Sequence, residues 1–339
     1  MQSTDQLDIG ELLTEPQKYK NSGGGDIFGY PPQELWKAAF YYAFYLDQME
    51  FEKAFEIHQQ IVLSINIEQI ALAFKQDLFK NLSKIPFLKG KTDLWEIIYK
   101  LYSRYSNKSI ADVKQLFENK VEIHHNLWKE NIPDEDKVTP EQLSRFYNAF
   151  PFPVGCFFWT CADSNLAIAY SALPLLLAKS NKCKAVFDYG GNSGLITSAM
   201  ANSLKLDRCM LIEENKNLLD FAKWRDKLFM IEGITYQKES ELINNIDSFK
   251  NKFDFGICTE VLEHVYDVEA TIINISQLLK SGGLLYQSTS FGLPEKSHLH
   301  KNRKYAGYED KLMDHYGFNR ITPQFSIPLL SDIRLYVKR

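Results

Sequence analysis

The sequence predicts an α/β fold: a doubly wound, mostly parallel sheet preceded by an all-helical N-terminal domain. Three observations carry that reading. From about residue 165 onward, short apolar runs bounded by turn residues alternate with helical patterns, as buried parallel strands and their crossover helices do. Before them, over residues 33–145, apolar residues recur at steps of three and four, the period of a helix with a wide buried face. Between the two, a strand runs into Gly190, Gly191 and Gly194 and then straight into a helix, which marks the carboxyl end of a sheet where ligands bind.

Taken in order, residues 1–32 end in Asn21-Ser22-Gly23-Gly24-Gly25 and Pro31-Pro32. Such breakers support neither a helix nor a central strand, so this stretch is expected to be a flexible segment. Leu35-Trp36, Ala39-Phe40, Ala43-Phe44 and Leu46 open the helical region, and similar patterns run through 51–64, 67–82, 94–105 and 110–128. No repeat keeps a fixed period, which favours a compact bundle over a solenoid. The charged link Pro133-Asp134-Glu135-Asp136-Lys137 closes the bundle. Phe146-Tyr147-Asn148-Ala149-Phe150-Pro151-Phe152-Pro153 then places aromatics on a backbone that proline pushes out of the helical region. These rings either pack as a connector or form a lip over a substrate pocket. Residues 146–339 carry the sheet. A helix is expected at 165–179, strands at 185–188, 209–213, 253–258 and 284–287, helices at 195–204, 216–228 and 270–279, and closing strands at 318–321 and 333–337.

Length and composition set bounds on function. A chain of 339 residues suggests two domains, and 45% apolar with 24% charged residues is ordinary globular usage. A net charge of -4 argues against a protein that blankets nucleic-acid phosphates with Lys and Arg; only the stretch 296–304 is locally basic. Five cysteines, an odd number with no C-x-x-C spacing, read as reduced thiols of a cytoplasmic protein. Asp5, Asp8, Glu11 and Glu15, with no basic or apolar run beside them, do not make a secretory signal. The longest apolar stretch, 166–178, contains Pro174 and is too short to span a bilayer. Neither a nucleic-acid nor a membrane partner is expected.

The glycine turn has a particular chemistry. A dinucleotide loop needs G-x-G-x-x-G, whereas here positions 192 and 195 are Asn and Leu. With no pyrophosphate to repel it, Asp188, two residues before Gly190, can face a positively charged ligand. Glu213 ends the second strand, 19 residues beyond Gly194, where a carboxylate can accept both hydroxyls of a ribose. The ordered set Val186-Phe187-Asp188-Tyr189-Gly190-Gly191-Asn192-Ser193-Gly194, Leu211-Ile212-Glu213, Phe253-Asp254-Phe255-Gly256-Ile257-Cys258-Thr259-Glu260-Val261-Leu262-Glu263-His264-Val265 and Leu278-Leu279-Lys280-Ser281-Gly282-Gly283 resembles class I S-adenosylmethionine-dependent methyltransferases over about residues 160–339. That resemblance implies a Rossmann-like seven-stranded sheet and S-adenosyl-L-methionine as cofactor. It also implies a cradle from Asp188, Gly190, Gly191, Asn192 and Gly194, a ribose ligand in Glu213, an adenine contact at Glu239, and Thr259 and Glu260 beneath the sulfonium. Asn192 departs from the glycine usual in the middle of the turn; asparagine tolerates positive φ, so the turn is expected to survive.

Glu260, Glu263 and His264 stand at i, i+3 and i+4, one face of a helix if the segment is helical. With a later histidine, His298 or His300, the pattern resembles metal-assisted O-methyltransferases, including small-RNA 2′-O-methyltransferases and ubiquinone-pathway enzymes. This implies a divalent ion (Mg, Mn, Fe or Zn) on Glu260, Glu263, His264 and His300. Metal-free members of the family carry a similar segment, in which His264 would act as general base. In both versions Glu263 and His264 are the catalytic candidates. Methylation of a small-molecule acceptor, with oxygen favoured, leads the reading. Methylation of an RNA 3′ end and a non-catalytic nucleotide-binding scaffold are the alternatives. The family likeness further implies a lid, and a homodimer contact, in the helical region.

Overall fold

The computed structural model describes residues 86–88, 94–149, 173–292, 297–321 and 334–339. The expectations for residues 1–32, for the helices at 51–64 and 67–82, for the aromatics at 150–153 and for the start of the 165–179 helix lie outside the described residues. The helical region holds α1 (Leu94–Ser106), α2 (Ile110–Glu118), α3 (Lys120–Asn131) and α4 (Pro140–Ala149). Ser109 and Asp112 exchange hydrogen bonds as a capping box that starts α2. Where one helix is expected over 110–128 there are two: Asn119 ends α2 and precedes α3, and the apolar period runs through the break undisturbed. Pro140 sits at the first position of α4, where its missing N–H costs nothing. The helix reaches Ala149 before Pro151 forbids it. Phe146 and Tyr147 are therefore helical rather than irregular, and α4 runs through the boundary drawn at 145/146.

The second region follows with α5 (Leu173–Ser180), β1 (Ala185–Tyr189), α6 (Leu195–Ser203), β2 (Arg208–Ile212), α7 (Lys216–Leu228), β3 (Ile234–Gln237), α8 (Glu239–Asn244), β4 (Phe253–Thr259), α9 (Val268–Leu278), β5 (Leu279–Ser288), α10 (Glu309–His315), β6 (Phe318–Arg320) and β7 (Arg334–Lys338). The seven strands are ordered β3-β2-β1-β4-β5-β7-β6. The first five are parallel, and β7 runs antiparallel to both its neighbours. This is the doubly wound Rossmann-like sheet that was expected. Strand order reverses at β1 and β4, which opens a crevice beyond their carboxyl ends.

All five residues of β1 are buried, as befits a strand covered on both faces. Phe187 meets Phe253 edge to face at 5.3 Å, amid a core that includes Met210, Ile212, Leu278 and Tyr336. The helical layer completes this core. Ile98, Tyr102, Val113 and Phe117 pack on Leu195 and Phe221. Leu88, Ile97 and Leu101 pack on Trp224, Leu228 and Phe229. Trp128, Leu143 and Phe146 close over Leu299. The apolar stripes of α1 to α4 are thus spent on α7 and on the segment after β5, and this fixes the layer above the crevice.

Candidate active site

The floor of the crevice begins where β1 ends. Gly190 has φ +67, and a Cβ there would lie 2.5 Å from the side chain of Val261, so only glycine lets the loops after β1 and β4 touch. Asn192 adopts φ 57, the left-handed conformation asparagine tolerates, and the turn survives as expected. Its N–H donates to Glu213 Oε2 at 2.9 Å, and Asn215 N–H donates to Glu213 Oε1 at 2.9 Å. Glu213 therefore ties the glycine turn to the start of α7, which Asn215 caps. Asp188 is buried and accepts from Thr197 Oγ1 at 2.8 Å. Glu239 accepts from Tyr189 Oη at 2.6 Å.

These acids are held against their preference. Burial pushes the Asp188 carboxyl up to about 6, against the bond from Thr197. Burial likewise pushes Glu213 up to about 7, against its two backbone bonds, and raises Glu239. Among the described residues no Lys or Arg forms an ion pair with any of the three. Asn192 Oδ1 is buried with no hydrogen-bond partner. A crevice with a close-approach glycine, an orphaned acceptor and carboxyls that lack a cation fits a cationic nucleoside, and therefore fits S-adenosylmethionine.

At the end of β4, Thr259 pairs with Ser288 and Glu260 follows at φ 51. The segment 260–266 is a turn, so the condition that it be helical is not met; α9 starts only behind the cap residue Asp267. The turn, closed by His264 N–H on the Val261 carbonyl, still gathers the acids and imidazoles. The Glu260 carboxylate takes Ser288 Oγ at 2.8 Å and Ser290 Oγ at 2.5 Å. Glu263, fully buried, takes Thr289 Oγ1 and Ser290 N–H at 3.0 Å each. Burial, and then the neighbouring Glu260, hold the Glu263 carboxyl well above the usual range. His264 Nδ1 lies 2.9 Å from the Ser297 carbonyl. A carbonyl only accepts, so Nδ1 carries the hydrogen and Nε2 presents a lone pair. Burial lowers this imidazole to about 4, helped by His298, whose ring meets it edge to face at 4.7 Å.

One ligand atom each from Glu263, His264 and His298 lies within 4.8 Å of the other two. His300 is not among them. Its Nε2 lies 2.9 Å from Glu135 and its Nδ1 3.3 Å from Asp136, at the start of the 3-10 helix His300–Tyr305. His298 takes the place expected of His300, and Glu260 stands behind Glu263, bound to the two serines.

Residues 164–324 match a family described as a methyltransferase domain. The match covers a little under half of the chain, and over that stretch the chain is similar to methyltransferase domains. Over 108 residues it is 33% identical to ubiquinone biosynthesis O-methyltransferases from strains of Coxiella burnetii, covering 32% of this chain and 44% of theirs. The chain thus spans less than half the length of the curated relatives it matches. Solved structures similar to it include the methyltransferase domain of bacterial CtHen1-CN (19% identity, 51% of this chain, 99% of that chain, TM-score 0.40). Another is the 1,6-didemethyltoxoflavin-N1-methyltransferase of Burkholderia thailandensis (13% identity, 50% of this chain, 78% of that chain, TM-score 0.37).

Two contributors to the candidate site were missed from sequence. Arg225 of α7, buried, donates from Nη1 to Ser193 O at 2.7 Å and from Nη2 to Gly194 O at 3.1 Å, and it pairs with the buried Asp226. It grips the glycine turn from beneath. Its signal was present, since Leu218, Ala222, Arg225 and Asp226 share one face of α7 at i, i+4, i+7 and i+8. The other is Ser290, which binds both Glu260 and Glu263; nothing in its sequence surroundings marks it. The basic stretch turns partly onto the domain itself, with Lys301 over the Tyr266 ring. Among the described residues, no helix is long and apolar enough to cross a membrane.

Proposed function

We propose that the chain transfers a methyl group from S-adenosylmethionine to a hydroxyl of a small-molecule acceptor, with a divalent cation held by Glu263, His264 and His298. The observation that carries this is the convergence of a carboxylate and two imidazoles on the loop that touches Gly190 through Val261. Carboxylate and imidazole donors suit a divalent first-row ion, and such an ion, when bound, lowers the pKa of an acceptor hydroxyl and orients it. A general base alone would need only one imidazole. The relatives named for O-methylation in ubiquinone biosynthesis support oxygen as the acceptor atom.

The protein's own part is alignment. Asp188 faces the cationic methionine end, Glu213 accepts the ribose hydroxyls and Glu239 stands at the adenine side. The acceptor hydroxyl gives up its proton to solvent before the site closes; its oxygen then attacks the methyl carbon in line with the C–S bond, and the sulfonium becomes a thioether. Because charge disappears from sulfur during the transfer, a site that excludes water and fixes the three atoms supplies much of the rate. The helical layer serves as the lid and as the surface through which two copies pair. Sedimentation giving only monomer at micromolar concentration would reject that pairing.

Labelled S-adenosylmethionine, offered with a panel of hydroxylated aromatic acceptors after dialysis against chelator, tests the reading. Label transfer should be lost with chelator and restored by Mg, Mn, Fe or Zn. Undiminished transfer in chelator would refute the cation.

A further inference from the structure

α4 is stapled to the loop that carries Glu213. Asn215 Nδ2 donates to the Tyr147 carbonyl, Asn217 Nδ2 donates to the Asn148 carbonyl at 3.1 Å, and Lys216 N–H donates to Asn148 Oδ1 at 3.3 Å. One turn earlier, Ser144 Oγ donates to Glu214 at 3.2 Å. Phe146 packs edge to face on Trp128 at 4.9 Å, and the Tyr147 ring meets Phe146 edge to face at 5.1 Å. Tyr147 sits on the turn of α4 that these bonds hold against the Glu213 loop, and its hydroxyl is buried with no hydrogen-bond partner among the described residues. The charges that bear on this hydroxyl are Glu213, then Glu263, then Glu239, acids from both ends of the site.

A buried orphan hydroxyl costs stability unless something completes it. Its surroundings select the ligand chemistry. Surrounded by carboxylates, a phenol stays protonated and is a donor, so it complements an oxygen lone pair. A ribose diol held by Glu213 gives its hydrogens to that carboxylate and turns lone pairs outward. We propose that Tyr147 is a further cofactor-binding residue, its hydroxyl donating to a ribose oxygen of the bound nucleoside. The helical layer then supplies one wall of the cofactor site and is not only a cover for the acceptor. This rests on the reading that the crevice holds S-adenosylmethionine.

Calorimetry on the full chain and on Tyr147→Phe separates the two claims. The probes are S-adenosylhomocysteine and 5′-methylthioadenosine, which share the ribose and differ at the amino-acid end. Losing one hydrogen bond predicts roughly five- to tenfold weaker binding of both probes by the variant, with its thermal midpoint not lowered. Equal affinities for the variant and the parent chain would overturn the assignment. A loss confined to S-adenosylhomocysteine would overturn it too, placing the hydroxyl at the amino-acid end. Failure of the parent chain to bind either probe would remove the functional reading and this assignment with it, whereas tight binding by both proteins removes the assignment alone.

Discussion

Asp188 and Glu213 are carboxyls whose ionisation the fold holds back to about 6 and about 7. In an unfolded chain they would titrate near ~4. Between those values the folded state binds more protons than the unfolded one, so this contribution to stability is full below pH ~4 and is lost as pH rises through 6 to 7. A sulfonium ligand favours the ionised forms; its binding releases protons and tightens with pH over the same window. Thermal midpoints with and without S-adenosylmethionine should therefore diverge as pH rises from about 5.5 to 7.5, and Glu213→Gln should flatten the divergence. A ligand-induced shift that stays constant with pH contradicts this. The histidines give a second contrast. His298→Ala should lose cation-dependent turnover on the order of a hundredfold, whereas His300→Ala, whose ring lies on Glu135 and Asp136, should stay within about twofold. In sequence the two are two residues apart and equally eligible. What lies between them is Leu299, extended at φ -65 and ψ 128, and the 3-10 helix that starts at His300, which neither histidine announces.

Among the helices and strands, legibility followed how completely one signal determined each. α7 was readable to its ends at Lys216–Leu228 because an asparagine cap and an unbroken apolar period agree. β1 and β4 were readable because each is a short, mostly apolar run bounded by turn residues. β3, Ile234–Gln237, has no fully buried residue and so no apolar run to betray it. The i, i+3 and i+4 spacing of Glu260, Glu263 and His264 left the 260–266 segment open, because it serves a tight turn as well as a helix. Arg225 shows how an element can position a loop it does not contain. Arg225→Met would release the carbonyls of Ser193 and Gly194 and strand Asp226 as an uncompensated buried charge. That predicts a loss of about 3–5 kcal/mol in urea unfolding, together with weaker cofactor binding; a change under about 1 kcal/mol would show that the turn holds its shape unaided.

The two regions are one folding unit in their packing, which their compositions did not reveal. Phe221, Leu195 and Leu299 of the sheet region are buried in clusters shared with residues of the helical layer. A fragment starting after Ala149 should therefore bind hydrophobic dye and aggregate, and a soluble fragment with an undiminished thermal midpoint would contradict that dependence. The proposed site is divided in the same way, with its acids at and beyond the carboxyl ends of the strands and Tyr147 on the helical layer. A crystal grown with S-adenosylhomocysteine and manganese, with anomalous scattering recorded, addresses all of this at once. The nucleoside should lie across the ends of β1, β2 and β4 with its ribose on Glu213, and a manganese peak should fall between Glu263, His264 and His298. A crevice left empty, or a ligand bound at another edge of the sheet, would contradict the assignment.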